Sequence, residues 1–240
     1  MPTGEVVIIG AEGGLGSALA DVYGDRGWRV RRIGRKDGDL ADPAEVRRLA
    51  AEIARSDDGL DLVIFAAGTS EAGYVDEVDA DAFRRCLEVN FLAPVTLFRA
   101  IASATRCRRF VFVLSGLGDV LVPGFSPYAL AKRALRDYLE VRALERSFPG
   151  CYVLEVRPGP IATAFDDKTR IHGDFRLPRQ PRRRSAREVA ERVYAAERAG
   201  RRRLGLSRLP SLLGRLQSTA PAALAWLIRR HPSFRRGRRA

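Results

Sequence analysis

Histidine, cysteine and lysine are scarce in this 240-residue chain, with two, three and three residues. His172 and His231 lie too far apart, and too poorly accompanied, to suggest a metal site or a histidine-based hydrolase, and both read as solvated surface. Cys86, Cys107 and Cys151 have no metal-ligand spacing and an odd count, which argues against a disulfide framework. Each reads as a small buried hydrophobe, in a reducing, cytoplasmic compartment. The chain enters an apolar strand almost at once, which leaves no room for a signal peptide. No internal repeat stands out.

Lysine is scarce and arginine is not: 39 of the 42 basic residues are arginine, and the net charge is +13. The excess is local. Residues 1–169 carry 22 basic against 25 acidic side chains, whereas residues 170–240 carry 20 against 4. The basic clusters are Arg182 to Arg184, Arg201 to Arg203, Arg229-Arg230 and the run 235–239. Such a tail suits a nucleic acid, an anionic membrane or an acidic partner. Nucleic acid is disfavoured, because the tail has no series of base-stacking aromatics and none of the usual binding motifs. Segments 209–216 and 222–228 are apolar and flanked by arginines, yet far short of the roughly 20 residues that span a bilayer. They suit peripheral membrane contact through residues 209–240, with Trp226 at headgroup depth, or packing on the body or on another subunit. Pro221 breaks them into two short helices.

Apolar residues make up 46% of the chain, enough for one large α/β unit with a substantial core. Apolar runs predict strands near 5–10, 28–33, 60–66, 108–115 and 151–157, with a sixth near 202–207. Helical periodicity predicts helices near 15–26, 43–55, 79–104, 124–147 and 186–199. Alternation of this kind implies a doubly wound parallel sheet, about six to seven strands, covered on both faces. The expected organisation is a nucleotide-binding and catalytic domain over 1–207, containing a loop at 164–185, and a basic helical extension over 208–240.

Six features fall at the ends of those strands or just beyond them, where open α/β sheets bind ligands. Tyr128-Ala-Leu-Ala-Lys132 places a phenol and an ammonium on one helix face, where the charge of Lys132 would favour ionised Tyr128. Gly10, Gly14 and Gly16 join the first strand to the first helix with the spacing G-x-x-x-G-x-G. Absence of Cβ lets backbone and phosphate approach closely there, at the positive end of a helix dipole. Ala66-Ala67-Gly68 ends the third strand. Asn90 lies within the predicted helix 79–104, and Ser115 ends the fourth strand. Pro158-Gly159 ends the fifth, with Ile161 and Thr163 following.

In this order the set resembles the short-chain dehydrogenase/reductase family, over about residues 6–194. The resemblance implies a Rossmann-like fold and hydride transfer between a nicotinamide and a carbon bearing oxygen. It implies that Tyr128 is the general acid/base, that Ser115 binds the substrate oxygen, and that Lys132 holds the nicotinamide ribose and lowers the Tyr128 pKa. Asn90 would support a water in the proton relay. Cofactor contacts are implied for Gly10, Gly14, Leu15, Gly16, Arg35, Asp39, Leu40, Ala66, Ala67, Gly68, Tyr128, Lys132, Pro158, Gly159, Ile161 and Thr163, with no metal. Gly34 stands where NAD users carry Asp, and Arg35-Lys36 follows, which favours NADP(H). Glu12 and Gly13 oppose that choice, since one could repel a 2′-phosphate and the other replaces a basic residue. Ile9, Phe65 and Ala66 replace polar residues of the family pattern. A homodimer or homotetramer is implied through helices 79–104 and 124–147. The expected substrate is a small carbonyl or alcohol, and Phe165, Ile171 and Phe175 are candidates to line its pocket. Non-redox proton transfer and a redox-silent dinucleotide scaffold are the alternatives.

Overall fold

The computed structural model describes residues 4–55, 60–120, 122–178 and 183–230, so His231, the run 235–239, Pro181 and Arg182 lie outside the described residues. The order is β1 (Glu5–Ile9), α1 (Gly14–Gly24), β2 (Arg29–Ile33), α2 (Pro43–Arg55), β3 (Leu60–Phe65), β4 (Glu71–Ala72) and α3 (Ala80–Leu87). Then follow α4 (Ala93–Ala104), β5 (Arg109–Val113), α5 (Ser126–Leu144), β6 (Tyr152–Arg157), β7 (Ile161–Ala162) and β8 (Arg170–Ile171). The last elements are β9 (Arg184–Ser185), α6 (Ala186–Arg198), β10 (Arg203–Gly205), α7 (Arg208–Thr219) and α8 (Pro221–Arg230). Six strands form one parallel sheet in the order β10-β6-β5-β3-β1-β2.

The inner strands are apolar on both sides, as parallel sheets covered by helices require. Val6 and Ile8 of β1 pack with Leu19, Tyr23, Val189 and Val193 on one face. Val7 and Ile9 pack with Leu49, Ile53, Leu97 and Phe98 on the other. Strand order reverses between β1 and β3, and this switch point fixes where a ligand crevice opens.

Two differences from the sequence expectations have physical causes. The helix expected over 79–104 is interrupted by a π turn at Glu88–Leu92. Pro94 lacks the N–H that an α-helix would direct to the Asn90 carbonyl, and the chain widens there. The whole stretch 80–104 is long and apolar enough to cross a membrane by composition, yet Cys86, Leu97, Phe98 and Ile101 are buried in the protein interior. Second, the loop 164–185 contains two short strands that periodicity does not reveal. β7 pairs with β9 at the base of the loop, and β8 pairs with β4 at its middle. The cysteines are free and buried as expected, and the thiols of Cys86 and Cys107 are pushed up to about 11 by burial.

Glu71 anchors the middle of the loop. Its buried carboxylate accepts from His172 Nε2 at 2.9 Å and faces Arg85 at 3.8 Å and Arg170 at 3.9 Å. Glu71→Gln removes the shared charge and should cost about 1–3 kcal/mol locally. Trypsin cleavage at Lys168, Arg170 and Arg176, followed by mass spectrometry, should then accelerate; unchanged cleavage would mean that the strand pairing alone holds the loop.

Candidate active site

The glycine turn is built to zero clearance. Gly10 has φ +89°, and a Cβ there would lie 2.4 Å from the Ala67 amide nitrogen. A Cβ at Gly16 would lie 2.1 Å from the Gly10 carbonyl oxygen, and one at Gly14 would lie 2.5 Å from Thr163 Cγ2. These contacts bring the ends of β1 and β3, the first turn of α1, and Thr163 beyond β7 into one cradle. Helix α1 starts without a capping side chain and without an acid in its first turn, so its leading N–H groups are available to an anion. Leu15 contributes backbone only, since its side chain is buried in the core. The cradle therefore fits a dinucleotide pyrophosphate.

Gly68 links the cradle to the catalytic groups. A Cβ on it would lie 3.0 Å from Asn90 Oδ1, 3.7 Å from Lys132 Nζ and 3.8 Å from Phe165 Cε2. Asn90 is fully buried, donating to the carbonyls of Thr69 (2.9 Å) and Cys86 (3.0 Å) and accepting from the Thr69 amide at 3.3 Å. It staples the end of β3 to the π turn. Lys132 is buried and donates to the Val113 carbonyl at 3.0 Å, two residues before Ser115 at the same strand end. Ser115 hydrogen-bonds the Tyr128 phenol and accepts from the Leu117 amide at 3.1 Å. Phe165 packs its ring 5.7 Å from that of Tyr128.

Burial sets both ionisations. The phenol of Tyr128 is pushed up to about 12 by desolvation, with the Ser115 hydrogen bond pulling the other way. Lys132 is pushed down to about 8, again by desolvation, against the Cys86 thiolate, which would raise it. Against the sequence expectation that Lys132 lowers Tyr128, burial pushes the phenol up here, and the Ser115 hydrogen bond is what pulls it down.

Of the sequence candidates, Gly10, Gly14, Gly16, Ala66, Ala67, Gly68, Asn90, Ser115, Tyr128, Lys132 and Thr163 form this continuous site. Pro158, Gly159 and Ile161 lead into it from β6, Gly159 at φ +69°. Arg35, Asp39 and Leu40 lie apart, beyond β2. There Asp39 closes its own turn on the Ala41 amide (2.9 Å), and Leu40 packs on the core. Among the loop aromatics, Phe165 alone adjoins Tyr128. Phe175 is a buried anchor against Tyr74 and Phe125, and Ile171 is exposed. Phe65 fills core space, stacked 4.5 Å from Phe112.

Residues 36–173, more than half of the chain, match the model of the short chain dehydrogenase family. The chain belongs to that family. The rat dehydrogenase/reductase SDR family member 7B is 28% identical over 188 residues, covering 66% of this chain and 58% of its own length. The match thus spans less than two thirds of that relative. A Burkholderia cenocepacia short chain dehydrogenase in complex with NADP superposes with a TM-score of 0.74 at 22% identity, over 94% of this chain and 97% of its own. A Burkholderia phymatum family member in complex with NAD gives 0.73 at 18%, over 92% and 95%. The six-stranded fold is the one these short-chain dehydrogenases share.

The buried Lys132 makes stability depend on pH. Its value of about 8 lies below the ordinary 10.5. Between them the unfolded chain keeps a proton that the folded chain has lost, so stability rises with pH in that window. Urea denaturation from pH 7.5 to 9.5 should show the rise, and Lys132→Met should remove it; an identical slope in the variant would assign it to another group.

Proposed function

We propose that this protein is a nicotinamide-dependent oxidoreductase that interconverts a ketone or aldehyde and an alcohol, with Tyr128 as general acid/base. The observation that carries the reading is the Ser115–Tyr128–Lys132 cluster meeting the glycine cradle at Gly68. When bound, the nicotinamide exchanges a hydride with the carbon that bears oxygen. The chain supplies the proton and the position. Tyr128 gives its phenolic proton to the substrate oxygen in reduction and takes it back in oxidation. Ser115 orients that oxygen, Lys132 presents an ammonium donor to the ribose hydroxyls, and Asn90 holds the strand end that carries Gly68. Arg35 and Lys36, both exposed just past β2, favour NADP(H). Phe165 beside Tyr128 favours an apolar substituent on the carbonyl.

Subunit pairing through α3–α5 is the assembly we propose, as a homodimer or homotetramer. Leu87, Leu92, Leu130, Val141 and Leu144 are exposed along these helices. The domain is the body 1–207 with the loop 164–185 over the site, followed by the extension 208–240. In that extension α7 and α8 pack on each other, and Gly214 of α7 abuts Asp119, just beyond the Ser115 turn. Leu209, Leu212, Trp226 and Leu227 are exposed, and Arg230 lies 4.1 Å over the Trp226 ring. No acidic residue follows Glu197. This combination supports a cytoplasmic protein that touches an anionic membrane through the two helices.

Tyr128→Phe should lower kcat by roughly 10²–10⁴-fold and leave cofactor Kd within about twofold, read by stopped-flow turnover of apolar ketones and by calorimetry. Retained turnover would remove Tyr128 from the chemistry. Co-sedimentation with phosphatidylserine vesicles should drop about 10-fold in a Leu212→Glu, Trp226→Ser double variant. Equal co-sedimentation would assign the two helices to packing.

A further inference from the structure

The adenosine end of the site has an acid that the reaction above does not use. Ile33, the last residue of β2, accepts from the amides of Gly10 at 2.8 Å and Ala11 at 3.1 Å. These bonds carry the glycine turn across the end of β2, so the next residue, Glu12, projects over the position that follows the strand. Its Oε2 accepts from the Arg35 amide at 3.1 Å. A Cβ at Gly34 would lie 2.1 Å from Glu12 Cδ, so the carboxylate occupies the volume that any side chain at Gly34 would fill. The Gly34 amide is engaged as well, donating to Asp37 Oδ2 at 2.7 Å. Both amides at this strand end are therefore bound to carboxylates of the chain.

In open nucleotide-binding sheets an acid at this strand end accepts from the ribose 2′-hydroxyl, whereas an arginine accommodates a 2′-phosphate. Strand β2 ends in a glycine instead of an acid. We propose that Glu12 supplies the missing carboxylate from the glycine turn, and that it is the residue which sets discrimination between NAD(H) and NADP(H). The proposal rests on the dinucleotide reading above. A ribose hydroxyl can donate to Glu12 while Oε2 keeps the Arg35 amide. A 2′-phosphate brings negative charge against Glu12 and Asp37, and it finds the amides of Gly34 and Arg35 already taken. The side chains of Arg35 and Lys36 attract it, whereas Arg48 is already engaged by the Asp37 carbonyl and Glu45. Glu12 thus narrows the NADP(H) preference that Arg35 and Lys36 create.

The test is calorimetric titration of the full chain with NADPH and with NADH. Glu12→Gln keeps the shape and the amide bond while removing the charge. NADPH Kd should fall about 10-fold, as loss of one like charge at a few ångströms gives, and NADH Kd should rise. Added salt should shrink the gain. Gly34→Asp collides with Glu12 in the wild-type background, but fits once Glu12 is trimmed. The Glu12→Ala, Gly34→Asp double variant should therefore recover the NADH affinity that Glu12→Ala loses. Equal shifts for both cofactors, or none, would overturn the role of Glu12 and leave the dinucleotide reading standing. Absence of binding by either cofactor to the wild type would overturn both.

Discussion

The site depends on one close approach: the turn after β1 passes so near the end of β3 that Gly10 tolerates no side chain, with 2.4 Å from its would-be Cβ to the Ala67 amide nitrogen. From that contact the rest follows. The Gly10 carbonyl faces Gly16, which seats α1 directly against the turn and aims its uncapped N–H groups into the crevice. The same turn is fastened to β2 through Ile33 and is overlaid by Thr163 from beyond β6. A methyl group at Gly10 would have to displace backbone, since no flexible side chain is there to yield.

Beside this cradle, burial sets the protonation of Tyr128 and Lys132. Tyr128 is held in its phenol form by burial, and Lys132 is brought close to losing its proton near neutrality. The low dielectric therefore moves both groups toward neutrality. The Val113 carbonyl and the Ser115 hydroxyl partly compensate, each with one hydrogen bond from the same strand end. The end of β5 thus holds Tyr128 and Lys132 together, and Gly68 at the end of the neighbouring β3 leaves space in front of them.

Most of this was legible in the sequence, because the strands that build the site are fully buried and so read as continuous apolar runs. Ser115 and Gly68 could be placed from where those runs stop. The π turn at Asn90 was not read, since apolar periodicity carries straight through it and only Pro94 hints at the break. The two-residue strands of the loop escaped for a different reason: they are held by the buried charge of Glu71 and by pairing to distant residues. Nor does sequence spacing reveal that burial raises the phenol of Tyr128, because burial depends on what the fold packs around the ring.

Glu12 and Gly34, both of which bear on cofactor choice, meet beside the end of β2, and sheet topology explains why that place is open. Among the described residues β2 is an edge strand, and its sequence Arg29-Val-Arg-Arg-Ile33 is only partly buried. An exposed edge invites pairing with another chain. Here charge discourages it: Arg29 pairs with Glu5, Arg31 with Glu52 and Arg32 with Asp21. The chain then runs from Gly34 to Asp42 without a further strand before α2 begins. Leu40 alone of this stretch joins the main core cluster, and the backbone amides of Gly34 and Arg35 find partners locally. Glu12 and Asp37 are those partners. The same lack of a covering strand that leaves the adenosine end open thus draws two carboxylates onto it, which makes cofactor choice a contest between acids bound to the backbone and the bases beside them.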